Sequence, residues 1–241
     1  MKCLGYSDKG PFREDNEDSF GFRQVGSTLF AAIADGLGGE ACGDIASRMA
    51  VESALDNLES TWEPRLSGDD MKNYLSRIFN NVNGKILRDC IDHRERIGMC
   101  TTLTLAIASG SGLYIAHIGD TRAYLVTDDG IRRLTEDHNL AAQYVKEGLL
   151  SEDEAKRHPS RNQLAKVVGI NSYLTPDVFE YKISEGDTLV MCTDGFYAYL
   201  TNDDIATVKD IADERGLRAL VEKAIANGSH DNSTVLAAKI I

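Results

Sequence analysis

Four acidic residues stand where apolar runs of strand type end or begin. Three of them lie one or two positions after such a run and have a glycine as neighbour, and the fourth lies two positions before the last run of the chain: Asp35, Asp120, Asp194 and Asp231. A single Asp-Gly pair is usually a turn former. Four acids at strand ends indicate more than turns, because strand ends can converge on one cleft.

The segment after the first acid argues against a dinucleotide site. Gly36, Gly38 and Gly39 form a glycine-rich turn between an apolar strand and a helix, as in dinucleotide-binding folds. The third glycine of that motif would be residue 41, which is Ala41, and Asp35 would direct a negative charge at the pyrophosphate. The acid suits a hard cation better, because glycine lets a backbone carbonyl approach and join it.

A run of charges, Arg-Glu-Asp-Asn-Glu-Asp, occupies residues 13–18 ahead of a predicted strand. Such a run is commonly a solvated loop. Alternatively, Glu17 and Asp18 bind a metal, and Arg13 offers a planar two-pronged donor to a phosphate. Because all candidate ligands are oxygens, with no His or Cys cluster, the pattern predicts magnesium or manganese rather than zinc or copper. The chemistry indicated is metal-assisted hydrolysis.

The composition limits the classes of protein. The chain has 241 residues, 42% hydrophobic and 27% charged, which is typical of an ordinary globular protein. We expect a single domain over 1–241, since no low-complexity linker or repeat divides it. The net charge of −12 repels nucleic-acid phosphate and anionic lipid, so we expect no nucleic-acid partner, whereas divalent cations are attracted.

The cysteines and the apolar runs bear on location. The five cysteines include no C-x-x-C pair, which argues against a zinc site and against a disulfide framework. The longest uninterrupted apolar stretch, 29–34, has six residues. The sequence therefore predicts no signal peptide and no direct membrane insertion, with a reducing cytoplasm as the location, although a partner could still recruit the protein to a membrane.

The elements that must position these residues follow from periodicity. Apolar runs separated by short turns predict strands at 4–6, 18–25, 28–34, 102–108, 113–118, 123–127, 178–183, 188–192 and 233–240. Helical spacing predicts helices at 44–58, 69–94, 138–147, 151–157, 202–208 and 213–226. The turns indicate antiparallel meanders rather than repeated βαβ units. We therefore expect an α+β domain in which helices cover antiparallel sheets.

Read in order, the motifs resemble those of the metal-dependent protein phosphatase 2C family, in particular its compact bacterial type. The matching segments are Arg13-x-x-Asn16-Glu17-Asp18, Asp35-Gly36-Leu37-Gly38-Gly39, Gly98-x-x-Thr101-Thr102, Gly119-Asp120-Thr121-Arg122, Leu134-Thr135-x-Asp137-His138, Asp194-Gly195 and Asp231-Asn232-x-Thr234. They extend over nearly the whole chain. The resemblance implies a four-layer α-β-β-α sandwich, two antiparallel β-sheets flanked by helices.

The resemblance also implies a binuclear Mn2+ or Mg2+ centre at one end of the sandwich. Asp35 would bridge two tightly bound metals, and the carbonyl of Gly36 would join it. Asp194 and Asp231 would complete one metal, and Glu17 and Asp18 would hold the second, partly through water. Arg13 would bind the substrate phosphate, and Asp120 would share a third, weaker metal with Asp194.

The implied activity is direct hydrolysis of phosphoserine or phosphothreonine in proteins by a metal-activated bridging water. It implies phosphoprotein substrates, and a Ser/Thr kinase whose action the enzyme opposes. Some family members carry a histidine directly after the bridging Asp-Gly, where this chain has Leu37, so another group must protonate the leaving alkoxide. Metal-bound water and His138 are the candidates.

Other departures leave the ligand set intact. Cys100 stands where glycine is common and Lys166 where arginine is common, and the charged region 140–161 coincides with the family's variable flap. Two alternatives to a general phosphoprotein phosphatase stay open. One is a regulatory module that binds phosphoproteins with little catalysis, and the other is a phosphatase for a signalling regulator or a small phosphoester.

Overall fold

The structure is a computed structural model, and it describes residues 1–37 and 42–241. The strands are β1 (Lys2–Asp8), β2 (Asp18–Val25), β3 (Thr28–Leu37), β4 (Cys100–Thr101), β5 (Leu103–Ser109), β6 (Gly112–Ile118), β7 (Arg122–Thr127), β8 (Gly130–Arg133), β9 (Asp177–Lys182), β10 (Thr188–Cys192) and β11 (Ser233–Lys239). The α-helices are α1 (Gly43–Thr61), α2 (Gly68–Asp92), α3 (Leu140–Lys146), α4 (Glu152–Ala155), α5 (Asp194–Tyr197), α6 (Asn202–Ala206) and α7 (Glu214–Ala226). Short 3-10 helices lie at Arg94–Arg96, Pro159–Asn162 and Thr207–Asp210.

The strands form two antiparallel sheets. One has the order β1-β11-β10-β7-β8, and the other has the order β2-β3-β5-β6-β9, with β4 paired to β3. The sheets stack face to face, with α1 and α2 outside the second and α7 outside the first. This confirms the α-β-β-α sandwich.

Three apolar cores hold the four layers together, and strand β3 shows how they alternate. Phe30, Ala32 and Ala34 face α1 and α2. Leu29, Ala31 and Ile33 face the opposite sheet. Successive side chains of a strand point to opposite faces, so a strand in the interior of this sandwich must be apolar on both. That requirement explains the uninterrupted apolar runs.

The same alternation places polar groups at one end of the space between the sheets. Asp35 continues the row of Leu29, Ala31 and Ile33, so it shares their side of β3. On the other sheet, Thr193 continues the row of Leu189 and Met191 on β10, and Thr234 precedes Leu236 and Ala238 on β11. Strand pairing sets Asp18 opposite Asp35. We call this end of the space between the sheets the acidic end of the sandwich. It includes the carboxylates of Asp18 and Asp35 and the facing hydroxyls of Thr193 and Thr234.

The elements differ from the sequence prediction mainly where they are short. Strand β8 has four residues, two of them arginine, and β4 has two, so neither shows the alternation that marks a strand. Helix α3 begins later than predicted because the Asn139 side chain accepts from the Ala142 amide and caps it. Gly38, Gly39 and Ala41 of the glycine-rich turn lie outside the described residues. None of the helices in the described ranges has the length and apolar character that crossing a membrane requires.

Candidate metal centre and phosphate site

Asp18 is held by two hydroxyl groups from the facing sheet. Its Oδ2 accepts from Thr193 Oγ1 at 2.8 Å and from Thr234 Oγ1 at 2.7 Å. Its Oδ1 is buried and has no hydrogen-bond partner, although the residue is only 7% exposed. A buried carboxylate oxygen without a partner is costly. The geometry therefore leaves one oxygen of Asp18 free for a ligand.

Asp35 is fixed by its backbone. Its amide donates to Thr102 Oγ1 at 2.8 Å, and its carbonyl accepts from the Thr102 amide at 2.9 Å and from Thr101 Oγ1 at 2.8 Å. These bonds leave the carboxylate of Asp35 uninvolved. They explain why the Thr101-Thr102 pair accompanies an acid that lies more than sixty positions earlier in the chain.

The carboxylates at the acidic end repel one another. Burial, followed by the charges of Asp18, Asp194, Asp120 and Asp231, raises the pKa of Asp35 well above its ordinary value. Burial raises the pKa of Asp18 to about 7, with the Thr234 and Thr193 bonds acting against it and Asp194 adding to it. Burial and Asp231 raise the pKa of Asp194 to about 6. Asp35 thus lies within the field of all the other predicted aspartate ligands. The charges of Arg13 and Arg122 oppose the raised pKa of Asp194, and Arg122 opposes that of Asp120, but neither outweighs burial and repulsion there.

The backbone around Gly36 has no room for a side chain. A Cβ at Gly36 would lie 2.0 Å from the Gly43 carbonyl oxygen and 2.7 Å from that of Glu17. The Gly36 amide donates to the Glu17 carbonyl at 3.0 Å. Glycine is required here because three backbone segments meet beside Asp35. Burial raises the pKa of Glu17, and the charge of Arg13 opposes that shift.

Asn232 joins the N-terminal loop to the end of β10 and β11. Its Nδ2 donates to the carbonyls of Lys9 and Asp15, both at 3.0 Å, and its Oδ1 accepts from the Glu17 amide at 2.9 Å. Next to it, Asp231 Oδ2 accepts from Arg13 Nη2 at 2.8 Å. The side chains of Arg13 and Asp231 are 48% and 39% exposed, so the guanidinium lies where the site meets solvent.

Asp120 stands at a turn that is bonded from two sides. Gly119 has a φ of +113°, which suits only glycine. Tyr197 Oη donates to the Asp120 carbonyl at 3.1 Å, and the Arg122 guanidinium lies 3.7 Å from the centre of the Tyr197 ring. Burial raises the pKa of Asp120 to about 8, with Asp194 as the next cause. The turn brings Asp120 within the field of Asp194.

His138 is built into the same turn and is not open to a substrate. Its Nδ1 accepts from the Gly119 amide at 3.2 Å, its own amide donates to the Gly119 carbonyl at 2.7 Å, and its Nε2 lies 3.1 Å from Asp177 Oδ2. The side chain is 4% exposed. Lys166 pairs with the other oxygen of Asp177 at 3.2 Å. Both ring nitrogens of His138 therefore face protein groups, which favours a positioning role over proton donation.

The donor set suits a small hard cation. In the part of the chain that the structure describes, no three His, Cys, Asp or Glu side chains are arranged to hold a metal ion by themselves. Mg2+ and similar ions keep several waters and take only one or two carboxylates each, so a closed cage of three is not needed. The partnerless buried Oδ1 atoms of Asp18 and Asp194 and the mutual repulsion at Asp35 fit such an ion.

The structure brings together the aspartates predicted from sequence, with Glu17, Gly36 and Arg13 beside them. Sequence reasoning did not assign roles to Thr193, Gly43, Asn232 or Tyr197. The motif Asp231-Asn232-x-Thr234 marks Asn232 and Thr234 in the sequence, but it does not reveal their partners. Thr193 carried no signal, because its partner Asp18 belongs to the other sheet. All five cysteines carry free thiols.

Comparisons with known proteins agree with this geometry. The family model described as Protein phosphatase 2C matches residues 13–238. The serine/threonine phosphatase stp of Listeria innocua is 34% identical over 238 residues, which are 95% of this chain and 92% of that protein.

Solved structures show the same fold. The serine/threonine phosphatase of S. agalactiae superposes with a TM-score of 0.90 at 29% identity, covering 100% of this chain and 99% of that one. The catalytic domain of the serine/threonine protein phosphatase PstP in complex with two manganese ions superposes at 0.81 and 28% identity, covering 100% and 98%. The motifs, the four layers and the acidic end thus have one common explanation: the chain belongs to the protein phosphatase 2C family.

Proposed function

We propose that the acidic end binds two divalent cations, Mn2+ or Mg2+, and hydrolyses phosphoserine and phosphothreonine in proteins. Family membership makes the chain a metal-dependent serine/threonine phosphatase. The observation that carries the assignment of residues is the group of carboxylates that repel one another around Asp35, with buried oxygens of Asp18 and Asp194 left without partners.

Each carboxylate has a role in this proposal. Asp35 would serve both ions, because burial and the charges of Asp18, Asp194, Asp120 and Asp231 all raise its pKa. The carbonyl of Gly36, Asp194 and Asp231 serve one ion, and Glu17 and Asp18 serve the other, partly through water. When bound, the pair of cations supplies Lewis-acid activation of a water for in-line attack on phosphorus.

Arg13 binds the substrate phosphate. Its guanidinium is half exposed and already lies on Asp231, at the outer side of the acidic end. A planar fork of donors matches two non-bridging phosphate oxygens and stabilises the charge that spreads over them in the transition state. Arg13 thereby holds the phosphorus in register with the carboxylate cluster.

A third, weaker ion binds at Asp120 together with Asp194. Support comes from the burial of Asp120, which is 7% exposed, and from the charge of Asp194, which after burial is the largest cause of its raised pKa. The backbone bonds from Tyr197 and His138 hold the turn. Since Leu37 has no acidic proton and both ring nitrogens of His138 face protein groups, water held near Asp120 and Asp194 would deliver the proton to the leaving oxygen.

The substrates are phosphorylated proteins, and we propose that the enzyme opposes a Ser/Thr protein kinase. The five free thiols support a reducing compartment, the cytoplasm. The decisive assay measures phosphate release from phosphothreonine peptides and from small phosphoesters, with added Mn2+ and after exhaustive chelation. We expect Mn2+-dependent release that favours the peptides. Full activity after chelation contradicts the metal proposal, and a preference for small phosphoesters contradicts the phosphoprotein substrate.

A further inference from the structure

An aromatic side chain lies beside the proposed phosphate site with most of its surface in solvent. Phe12 precedes Arg13 in the chain and is 62% exposed. Its ring stands 4.1 Å, centre to centre, from the exposed imidazole of His230, with 37° between the two planes. The pair places His230 against Phe12 and leaves most of the Phe12 surface exposed. Large apolar side chains near a catalytic cleft are commonly part of a binding surface.

The pair is fixed to the site on both sides. Arg13 bonds Asp231 at 2.8 Å, which joins the residue after Phe12 to the residue after His230. Gly10, with a φ of +70°, packs against the backbone of Asp231, since a Cβ at Gly10 would lie 3.1 Å from the Asp231 carbonyl oxygen. The Lys9 carbonyl accepts from Asn232. Phe12 and His230 are therefore held as one exposed surface, which we call the aromatic rim.

The aromatic rim is within reach of the residues next to a bound phosphoresidue. Phe12 and Arg13 are consecutive and joined by a trans peptide, so their Cα atoms are about 3.8 Å apart, the same spacing as between neighbouring residues of a substrate. A phosphate on Arg13 thus places the neighbouring substrate residues over or beside Phe12. This step rests on the proposed function, because it takes Arg13 as the phosphate ligand.

The surroundings of the rim select the charge of what it contacts. Glu14 and Asp15 are exposed and follow Arg13 directly. The nearby cations are engaged when a phosphoresidue is bound: the phosphate pairs with Arg13, and Lys9 Nζ donates to the Glu14 carbonyl at 3.2 Å. The chain as a whole carries −12. An open aromatic face beside exposed carboxylates attracts an arginine or lysine side chain, by a cation–π contact and by long-range charge.

We propose that Phe12, supported by His230, is a specificity determinant that binds an arginine or lysine side chain next to the phosphorylated serine or threonine of the substrate. The partner is thus a basic phosphorylated segment of a protein. An apolar neighbour would lack the charge attraction to Glu14 and Asp15, and an acidic neighbour would be repelled by them.

The test uses short phosphothreonine peptides that differ at one position on either side of the phosphoresidue, where arginine, citrulline, leucine, glutamate or alanine is placed. Citrulline keeps the shape of arginine without its charge. We expect kcat/KM to be higher for arginine than for citrulline by about two- to fivefold at one of the positions, the range of an exposed cation–π contact.

Three variants assign that preference to the ring. Phe12→Ala is expected to reduce the arginine-to-citrulline ratio to about one, and Phe12→Tyr, which keeps an aromatic face, is expected to retain it. Ile91→Ala, which removes an apolar side chain that is 77% exposed at the end of α2, is the control for lost apolar surface and should leave the ratio unchanged.

The outcomes separate this inference from the proposed function. If no peptide is hydrolysed with Mn2+, the proposed function fails. If the alanine peptide is hydrolysed but the wild-type protein shows no arginine preference, or Phe12→Ala retains it, the aromatic rim has no such role. A leucine preference that Phe12→Ala abolishes also overturns the proposal, because it assigns an apolar rather than a cationic side chain.

Discussion

Asp18 and Asp35 are register partners on neighbouring antiparallel strands, with their side chains on the same side of the sheet. Like charges directly opposite in such a pair are destabilising, and burial makes the repulsion stronger. The protein therefore tolerates at this position an arrangement that favours a bound cation over an empty site. The expected outcomes below follow from that relationship.

The hydroxyls that hold Asp18 should set the metal affinity. We expect Thr193→Val and Thr234→Val each to weaken Mn2+ binding by about tenfold, as loss of a group that orients a metal ligand does. The reason is that Asp18 Oδ2 loses one of its two donors. Calorimetric titration with Mn2+ measures this. Thr28→Val is the control: it removes a buried hydroxyl bonded to Ser109 at the other end of β3 and should leave Mn2+ affinity unchanged. Unchanged affinity in Thr193→Val and Thr234→Val as well would contradict the account.

Stability should depend on pH in opposite ways with and without metal. Folding raises the pKa of Asp194 to about 6, of Asp18 to about 7 and of Asp120 to about 8, from an ordinary value of 3.8. The folded protein then binds more protons than the unfolded chain between about pH 4 and pH 8, so the stability of the metal-free protein should fall as pH rises through that window.

Mn2+ should reverse this trend, because metal binding requires deprotonated carboxylates. Thermal unfolding in chelator and in Mn2+ measures the difference, which should be small at pH 5 and larger at pH 8. Asp120→Asn should make the metal-free slope shallower. A metal-free Tm that rises steadily from pH 5 to pH 8 is the result that this explanation does not allow.

Asp120 should matter for turnover more than for folding. We expect Asp120→Ala to fold normally and to retain tight binding of two Mn2+ ions by calorimetry, because the third ion is held by fewer carboxylates and exchanges independently. Phosphopeptide turnover should nevertheless be mostly lost, because proton delivery to the leaving oxygen is assigned to the region of Asp120. Tyr197→Phe, which removes only the hydroxyl bonded to the Asp120 carbonyl, should have a smaller effect in the same direction. Near-normal turnover of Asp120→Ala would make Asp120 a structural turn residue.

His138 should behave as a positioning residue. Its substitution by alanine removes the bond from the Gly119 amide to Nδ1 and the contact of Nε2 with Asp177. We expect it to lower stability by about 1–3 kcal/mol, typical of a buried polar network. Turnover of an aryl phosphate and of a phosphopeptide should fall by the same factor. A general acid assists the poorer leaving group more, so a loss confined to the phosphopeptide would identify His138 as the acid.

The turns and apolar runs were sufficient to predict antiparallel sheets covered by helices, and the acids at the strand ends were visible in the sequence. The four-layer sandwich was implied by the family resemblance. The sequence was insufficient for the partners of those acids. Thr193 meets Asp18 only through the stacking of two sheets, and Phe12 meets His230 only because Asn232 joins two distant loops. Such contacts follow from tertiary packing and leave no periodic pattern. Strand β8 was missed because four residues with two arginines carry no alternation.

The central claim is that Asp35 bridges two ions, and Asp35→Asn tests it most directly. The substitution keeps the backbone bonds to Thr101 and Thr102 and removes the charge. We expect calorimetry to show both tight Mn2+ sites weakened together, and phosphopeptide kcat/KM to fall by at least about 100-fold, more than loss of a supporting residue typically costs. Asp69→Asn, at an exposed position of α2, is the control. Two tight Mn2+ sites and normal turnover in Asp35→Asn would contradict the account.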